Sequence, residues 1–392
     1  MLPPGFRFGT STASYQIEGA AAEDGKGPSI WDTFTAEPGR IVDCSNGDVA
    51  CDHYHRVDED VELIQRLGTG GYRFSISWPR IQPTGRGPAN EAGLAFYDRL
   101  IDSLLARGIQ PMVTLYHWDL PQALEDDGGW LNRDTVECFA EYARILGERF
   151  ADRVEHWIPV NEPNVASLLG YGMGVHAPGK ALLFDALPTA HHLLLAHGRA
   201  AIELRKAGAT SIGCANNHAP IWPNSDDDAD VGASKIFDAL WNGMFLEPML
   251  LGRYPADLMP LFEDVMADGD LATIRQPLDF YGVNYYNPMR IAAADEDSRS
   301  SSATSSATRP PTSAGRSCPT RCASGWSCSA PASAPRCRRS SSPSPAAATT
   351  WGPTRTASST TSPASTTSTP TSRPSPRRSS AASTSAATTA GR

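Results

Sequence analysis

The chain has 392 residues, enough for one large domain or two medium ones, and a formal net charge of −9. The charge is uneven, because all 43 Asp and Glu residues precede Ser298. Residues 298–392 carry +12, which leaves −21 on residues 1–297. This excess of acidic residues excludes a basic nucleic-acid-binding domain in residues 1–297.

The last 95 residues, from Ser298 to Arg392, contain only Ser, Thr, Ala, Pro, Arg, Cys, Gly and Trp. A segment without Leu, Ile, Val, Met, Phe or Tyr has no apolar core to offset the loss of chain entropy on folding. We therefore predict a folded domain at residues 1–297 and a low-complexity, disordered tail at residues 298–392.

The composition of the tail also suggests how it arose. All eight of its residue types have codons with C or G in the middle position. GC-rich coding DNA read one base out of register gives such a run. Our hypothesis is a frameshift just before Ser298, in the gene or in the determined DNA sequence. The alternative is a genuine Ser/Thr/Pro-rich linker or stalk, although such segments seldom exclude Asp, Glu, Lys, Asn, Gln and Leu together.

The chain shows no signal-peptide pattern at its start and no apolar run of membrane-spanning length. The cysteines of the first 297 residues are scattered: Cys44, Cys51, Cys138 and Cys214. This scatter predicts reduced thiols and a cytoplasmic location, with no membrane partner. Cys44 and Cys51 lie near His53 and His55, but their spacing matches no zinc pattern, so no metal is predicted.

Strand and helix signals alternate along residues 1–297. The predicted strands are Phe6–Gly9, Gly71–Trp78, Pro111–Tyr116, Val154–Val160, Ser211–Asn216 and Asp279–Tyr285. Apolar residues at helical spacing mark the segments 57–67, 94–105, 136–150 and 185–206. Such alternation implies a parallel sheet, in either a (β/α)8 barrel or an open doubly wound sheet. No Gly-x-Gly-x-x-Gly follows the first strand, which weighs against a dinucleotide-binding sheet.

Polar and aromatic residues cluster just after five of these strands. They are Gln16 and Glu18, His117–Asp119, Asn161 and Glu162, Asn216–His218, and Asn284–Tyr286. In a barrel all of them face one mouth, where active sites are built. Hydrogen-bonding groups beside Trp and Tyr faces suit a sugar ring, which has hydroxyl edges and apolar C–H faces. The pattern favours the barrel and a carbohydrate site.

Five motifs in order resemble glycoside hydrolase family 1, the β-glucosidase family. They are FRFGTSTASYQIEGA at 6–20, YRFSISWPR at 72–80, YHWDLP at 116–121, WIPVNEPN at 157–164 and GVNYY at 282–286. The resemblance covers about residues 5–290. It implies an α/β (β/α)8 TIM barrel that hydrolyses β-linked glucosides or short β-linked oligosaccharides with retention and without a cofactor. Carbohydrate metabolism, including cellulose degradation, is the implied setting.

The resemblance assigns roles to eight residues. Glu162 resembles the general acid/base of the family. Gln16, His117 and Asn161 resemble ligands of the sugar hydroxyls, and Trp118 lines the same subsite. The residues that resemble the groups around the nucleophile are Arg73, Asn284 and Tyr286. Glu18 and the pair His191–His192 are interpreted as structural.

The second carboxylate is where this sequence departs from the family. A retaining glycosidase needs one protonated and one ionised carboxyl group, about 5–5.5 Å apart. The family takes its nucleophile from a Thr-Glu-Asn-Gly-like segment at strand seven, and it takes further sugar ligands from a Trp-rich segment at strand eight. The tail contains no Glu, so strands seven and eight are predicted to be missing or scrambled. If the bases that encode Pro343–Ala346 are read one base out of their present frame, they can encode Thr-Glu-x-Gly, where x is a small residue.

Three hypotheses follow from the sequence. The first is a β-glucosidase whose true product has the in-frame end and whose present chain is inactive. The second is a non-catalytic sugar-binding remnant. The third is a non-functional product that aggregates through unpaired strand edges. The aglycone, the preference for glucose or galactose and the oligomeric state are left open by the sequence.

Overall fold

The structure is a computed structural model that describes residues 5–294. The predicted boundary at Ser298, the low-complexity tail and the segment expected to hold strands seven and eight lie outside the described residues. The strands of residues 5–294 are β1 (Gly9–Ser11), β2 (Gly71–Ser75), β3 (Gln110–Tyr116), β4 (His156–Val160), β5 (Ser211–Asn217), β6 (Ile221–Pro223), β7 (Phe280–Asn284) and β8 (Met289–Ile291).

Eleven α-helices connect and cover these strands within the described residues. They are α1 (Ser14–Ile17), α2 (Ile30–Ala36), α3 (His53–Arg66), α4 (Trp78–Ile81), α5 (Glu91–Ala106), α6 (Gln122–Asp126), α7 (Asp134–Phe150), α8 (Leu187–Lys206), α9 (Asp228–Asp238), α10 (Met244–Leu251) and α11 (Asp270–Ile274). Two π-helical segments, Val165–Gly172 and Ala239–Gly243, lie among them. The long helices α5, α7 and α8 bury apolar faces against the sheet.

Six strands form one parallel sheet in the order β1-β2-β3-β4-β5-β7, and β6 and β8 pair in a separate parallel ribbon. Each strand of the large sheet pairs with its predecessor in parallel register. Helices lie between successive strands, as parallel connections require. The described residues are therefore the first six strands of a (β/α)8 TIM barrel with the helices that connect them, which confirms the predicted fold class.

The first strand differs from its prediction at both ends. The sequence places it at Phe6–Gly9, but the strand is Gly9–Ser11. The aromatic pair Phe6 and Phe8 misled the prediction, because the two rings pack on each other with centroids 5.0 Å apart and Phe8 is 63% exposed. A Cβ at Gly9 would meet the Gly71 carbonyl oxygen at 2.9 Å, so the close approach of β1 to β2 requires glycine there.

The second strand ends at Ser75, before the predicted end at Trp78. Trp78 opens helix α4, and Pro79 occupies the first turn of that helix. Proline favours this position because its fixed φ suits a helix start and its missing N–H would be unpaired there. The early end of β2 leaves Ser75 and Ser77 at the carboxyl edge of the sheet.

Two apolar clusters flank the sheet. The main core packs between the strands and the surrounding helices, with Trp78, Trp130 and Trp157 fully buried in it. A small second cluster holds Met112 of β3 with Ile158 and Ala215 of neighbouring strands. Met112 and Thr114 are two residues apart on β3 and share a face. This face is the inside of the barrel, apolar at its base and polar towards the carboxyl ends.

Three of the cysteines in residues 5–294, Cys51, Cys138 and Cys214, are free thiols. Cys44 is disulfide-bonded, so the predicted reduced state is wrong at that position. This part of the chain holds no group of three or more His, Cys, Asp or Glu side chains placed to bind a metal ion. Its helices also include none with the length and apolar character needed to cross a membrane.

Candidate active site

Glu162 lies two residues beyond the end of β4, at the carboxyl edge of the sheet. Its backbone N–H donates to the carbonyl oxygen of Ala215 on β5 at 2.7 Å, which fixes the residue against the neighbouring strand. Its φ of 47° lies in the left-handed region. A non-glycine residue there stores about 1–3 kcal/mol of backbone strain, and such strain is concentrated at functional sites. The side chain is 2% exposed.

The surroundings of the Glu162 carboxyl favour its protonated form. Burial raises its pKa above the ordinary value, while the hydrogen bond from Asn284 and the positive charge of Arg73 act in the opposite direction. The Asn284 Nδ2 donates to Glu162 Oε1 at 2.5 Å. Because the net direction is upward, Glu162 stays protonated to higher pH than an ordinary Glu, as a proton donor requires.

Asn161 connects several of the predicted site residues. Its Oδ1 accepts hydrogen bonds from Arg73 Nη2 and, at 3.1 Å, from Asn284 Nδ2. Its Nδ2 lies 3.3 Å from His117 Nε2. The indole N–H of Trp118 donates to the Asn161 carbonyl oxygen at 2.9 Å. Residues of four strands and their following loops therefore meet at one fully buried residue.

Arg73 brings a positive charge into this cluster, and no carboxylate among residues 5–294 is in contact with it. Its Nε donates to Thr114 Oγ1 at 3.0 Å, and its Nη1 lies 3.5 Å from Asn284 Oδ1. The negative charge of Glu162 acts on Arg73, but the two form no ion pair. Burial lowers the pKa of Arg73 to about 10, so the guanidinium stays charged at neutral pH. Buried charges are normally paired, and within the described part of the chain this one is not.

Gln16, His117 and Trp118 line one cleft of about 450 Å³ together with Trp31 and His176. Burial and the charge of Arg73 lower the pKa of His117 to about 3, so its ring is neutral. The Nδ1 atom of His117 has no partner among the described residues. Glu162 is not among the described residues that line this cleft.

Tyr286 is the most loosely held of the eight predicted residues. Asn284 ends β7 and is 6% exposed, whereas Tyr286 is 56% exposed. Burial and the negative charge of Glu162 raise the pKa of Tyr286, so its phenol stays protonated at neutral pH. Gln16 on α1 is likewise exposed. The structure thus joins six of the eight residues by hydrogen bonds and places Gln16 and Tyr286 at the edge of the cluster.

One contact of this cluster was missed by sequence reasoning. Thr114 accepts from Arg73, although it is a polar residue within the apolar run of β3. Asn217, predicted to face the mouth but given no role, ends β5. It hydrogen-bonds to Glu162, and this bond lowers the pKa of that carboxyl group.

Glu18 and His191, interpreted as structural, hydrogen-bond to side chains outside the Glu162 cluster. Glu18 accepts from Arg80 Nε at 3.0 Å and from the Tyr97 hydroxyl at 2.5 Å, with both partners buried. The His191 ring lies between the Tyr254 hydroxyl and an Asp270 carboxylate oxygen, each at 2.9 Å. These contacts agree with the structural interpretation.

Comparison with known proteins decides the family. The model of Glycosyl hydrolase family 1 matches residues 1–334 of this chain. The chain belongs to glycoside hydrolase family 1. It is 47% identical over 292 residues to Beta-glucosidase A of Acetivibrio thermocellus, a match that covers 73% of this chain and 65% of the relative. It is 45% identical over 291 residues to the 1,4-beta-D-glucan glucohydrolase of Thermotoga neapolitana, covering 73% and 68% respectively.

The structural comparison agrees with this assignment to family 1. A family 1 β-glucosidase of Thermotoga maritima, solved in complex with isofagomine lactam, superposes with a TM-score of 0.72 and 44% identity. The superposition covers 75% of this chain and 68% of that one. This family 1 chain therefore spans about two thirds of the length of its relatives.

Proposed function

We propose that residues 5–294 are most of the catalytic barrel of a retaining β-glucosidase that acts on β-linked glucosides and short β-linked oligosaccharides, with Glu162 as the general acid/base. The observation that carries the proposal is the environment of Glu162. Its carboxyl group is buried, has a raised pKa and accepts a hydrogen bond from Asn284 at the carboxyl edge of the barrel. A carboxyl group kept protonated in this way can donate to a leaving oxygen.

The sugar ring is proposed to bind in front of Asn161. Gln16, His117 and Asn161 offer hydrogen-bonding groups to its hydroxyls, and Trp118 offers an apolar face to its C–H side. The unpartnered Nδ1 of the neutral His117 ring supports this role, because a buried polar atom needs a partner.

The nucleophile is proposed to be absent from this chain and encoded, out of frame, beneath its tail. Arg73, Asn284 and Tyr286 would orient that carboxylate. The unpaired charge of Arg73 supports the proposal, because a carboxylate beside it would be kept ionised as a nucleophile must be. The tail contains no Glu to take this place.

In the complete site the reaction runs in two steps. The nucleophilic carboxylate forms a bond to the anomeric carbon while the glycosidic C–O bond breaks and Glu162 gives its proton to the leaving oxygen. In the second step, water attacks the anomeric carbon while the ionised Glu162 takes its proton. The bond between that carbon and the nucleophilic carboxylate breaks, which releases the carboxylate. The anomeric configuration is inverted twice and so retained.

One observation favours a non-catalytic sugar-binding remnant as the second candidate. Gln16, His117 and Trp118, which all precede Ser298, line one cleft. Glucose binding by the present chain, measured by calorimetry, would support that candidate. The proposed enzyme predicts turnover of an aryl β-glucoside by a chain restored to the original frame after Asp297, and none by the present chain. A cytoplasmic location and a role in cellulose degradation stay predictions.

A further inference from the structure

Three segments that carry proposed site residues are tied together by a buried cluster of Ser14, Ser75 and Asp119. Ser14 begins α1, which carries Gln16; Ser75 ends β2, which carries Arg73; and Asp119 directly follows Trp118. The three side chains are 3%, 2% and 1% exposed. None of them belongs to the residues that surround Glu162.

The side-chain hydroxyls of this cluster form a chain of hydrogen bonds that ends at Asp119. The Ser75 hydroxyl donates to Ser14 Oγ at 3.0 Å, and the Ser14 hydroxyl donates to Asp119 Oδ2 at 2.8 Å. The Ser14 backbone N–H donates to Ser75 Oγ at 2.8 Å. Because the chain of donors ends on a carboxylate, the bond to Asp119 is charge-assisted and stronger than a bond between neutral groups.

The backbone beside Asp119 needs such an anchor. Trp118 has a φ of 76°, in the left-handed region that a bulky residue adopts only under constraint. The indole of Trp118 is fixed to the Asn161 carbonyl on one side, and the Asp119 carboxylate is fixed to Ser14 on the other. Loss of either bond would let the turn relax and move Trp118.

We propose that Asp119 is a positioning residue, whose bond to Ser14 holds α1 against the end of β3 so that Gln16 faces the cleft shared with His117 and Trp118. The proposal rests on the proposed function in so far as these residues bind sugar. Asp119 itself contacts no substrate in this account. Its other oxygen, Oδ1, has no hydrogen-bond partner among the described residues. Asp119 also lines a water-sized cavity of about 10 Å³ together with Ser14 and Ser77.

The first test uses the present chain and needs no activity. Asp119→Ala and Ser14→Ala are compared with the control Asp127→Ala, which alters an exposed pair with Arg86. Amide hydrogen exchange is read by mass spectrometry in residues 12–19 and in α3 as an internal reference. We expect both substitutions to raise exchange in residues 12–19 about tenfold, with α3 unchanged. Exchange equal to that of Asp127→Ala would overturn the proposal. If Asp119→Ala does not fold, the exchange of Ser14→Ala, which removes only a hydroxyl, tests the proposal alone.

The second test uses the chain restored to frame after Asp297. Asp119→Ala is expected to raise KM for an aryl β-glucoside at least about fivefold, with a smaller change in kcat, because ligands of the ground-state sugar are displaced. Asp119→Asn, which keeps an acceptor for Ser14, should recover most of the KM. A fall in kcat at unchanged KM would overturn the proposal. Absence of turnover in the unsubstituted restored chain would refute the proposed function instead, and the exchange measurement would still decide the role of Asp119.

Discussion

The side-chain amide of Asn284 donates a hydrogen bond to the Glu162 carboxylate at 2.5 Å, although 122 residues separate the two in the chain. Asn284 ends β7, and β7 pairs with β5, the strand against which Glu162 is fixed. The sixth strand of the barrel therefore contacts Glu162 directly. It follows that the surroundings of the proposed acid include residues from β5 and β7.

Glu162→Gln in the restored chain tests the proposed acid. Because general acid catalysis contributes about 10²–10⁴-fold, we expect a loss of this size on substrates with poor leaving groups. The loss in the glycosylation step should be much smaller for activated aryl glucosides, whose leaving group needs little protonation. Steady-state kinetics on both substrate types measure the difference. Glu155→Gln, an exposed residue just before β4, is the control and should behave as the unsubstituted chain. Equal losses on both substrates would remove Glu162 from the acid role.

Glu18→Gln tests the structural interpretation of Glu18. The substitution leaves the Arg80 guanidinium, which is fully buried, without its anionic partner. Breaking a buried pair from one side typically lowers the free energy of unfolding by about 3–5 kcal/mol. Urea unfolding should show this loss, while Glu59→Gln in an exposed pair with Arg56 should change stability by less than about 1 kcal/mol. Similar effects of the two substitutions would contradict the interpretation.

The raised pKa of Asp119 makes the free energy of unfolding depend on pH, which can be measured without substrate. Burial raises its pKa to about 6, the nearby Glu18 acts in the same direction, and the Ser14 hydrogen bond and Lys26 act against it. Between pH 4 and 6 the folded state therefore binds more protons than the unfolded state. The contribution of Asp119 to the free energy of unfolding is therefore largest at low pH. It falls by roughly 3 kcal/mol as the pH rises from 4 through 6.

The measurement compares urea unfolding of the unsubstituted chain and Asp119→Asn at pH 4, 5, 6 and 7. Asn does not titrate, so the stability difference between the two chains should shift in favour of the variant as pH rises across this window. Asp127→Asn, at an exposed position, should run parallel to the unsubstituted chain. Parallel curves for Asp119→Asn as well would show that the Asp119 carboxyl has an ordinary pKa.

Much of the fold was predictable because buried parallel strands and amphipathic helices leave strong patterns. The run from Pro111 to Tyr116 and the helix around Val136 to Phe150 agree with the structure to within about two residues. The β6–β8 ribbon was not predicted. Each of its strands is three residues long, and Trp222 at its centre is 47% exposed, so no apolar period marks it.

The candidate site was predictable to the extent that its residues follow strands directly. Asn161, Glu162 and Asn284 were found because they follow apolar runs, where a barrel places its chemistry. Ser75 and Thr114 were missed, because small hydroxyl residues inside a strand resemble ordinary packing positions. Their importance depends on partners 61 and 41 residues away, a relation that no local pattern records.

Hydrolysis of an aryl β-glucoside by the present chain and by the restored chain, each purified and verified intact by mass spectrometry, tests the central claim most directly. The account predicts turnover by the restored chain that is lost when the Glu encoded beneath Ser344 is replaced by Gln. It predicts no measurable turnover by the present chain, because acid catalysis by Glu162 does not replace the covalent route. Turnover by the present chain that disappears with Glu162→Gln would contradict the claim that its nucleophile is absent.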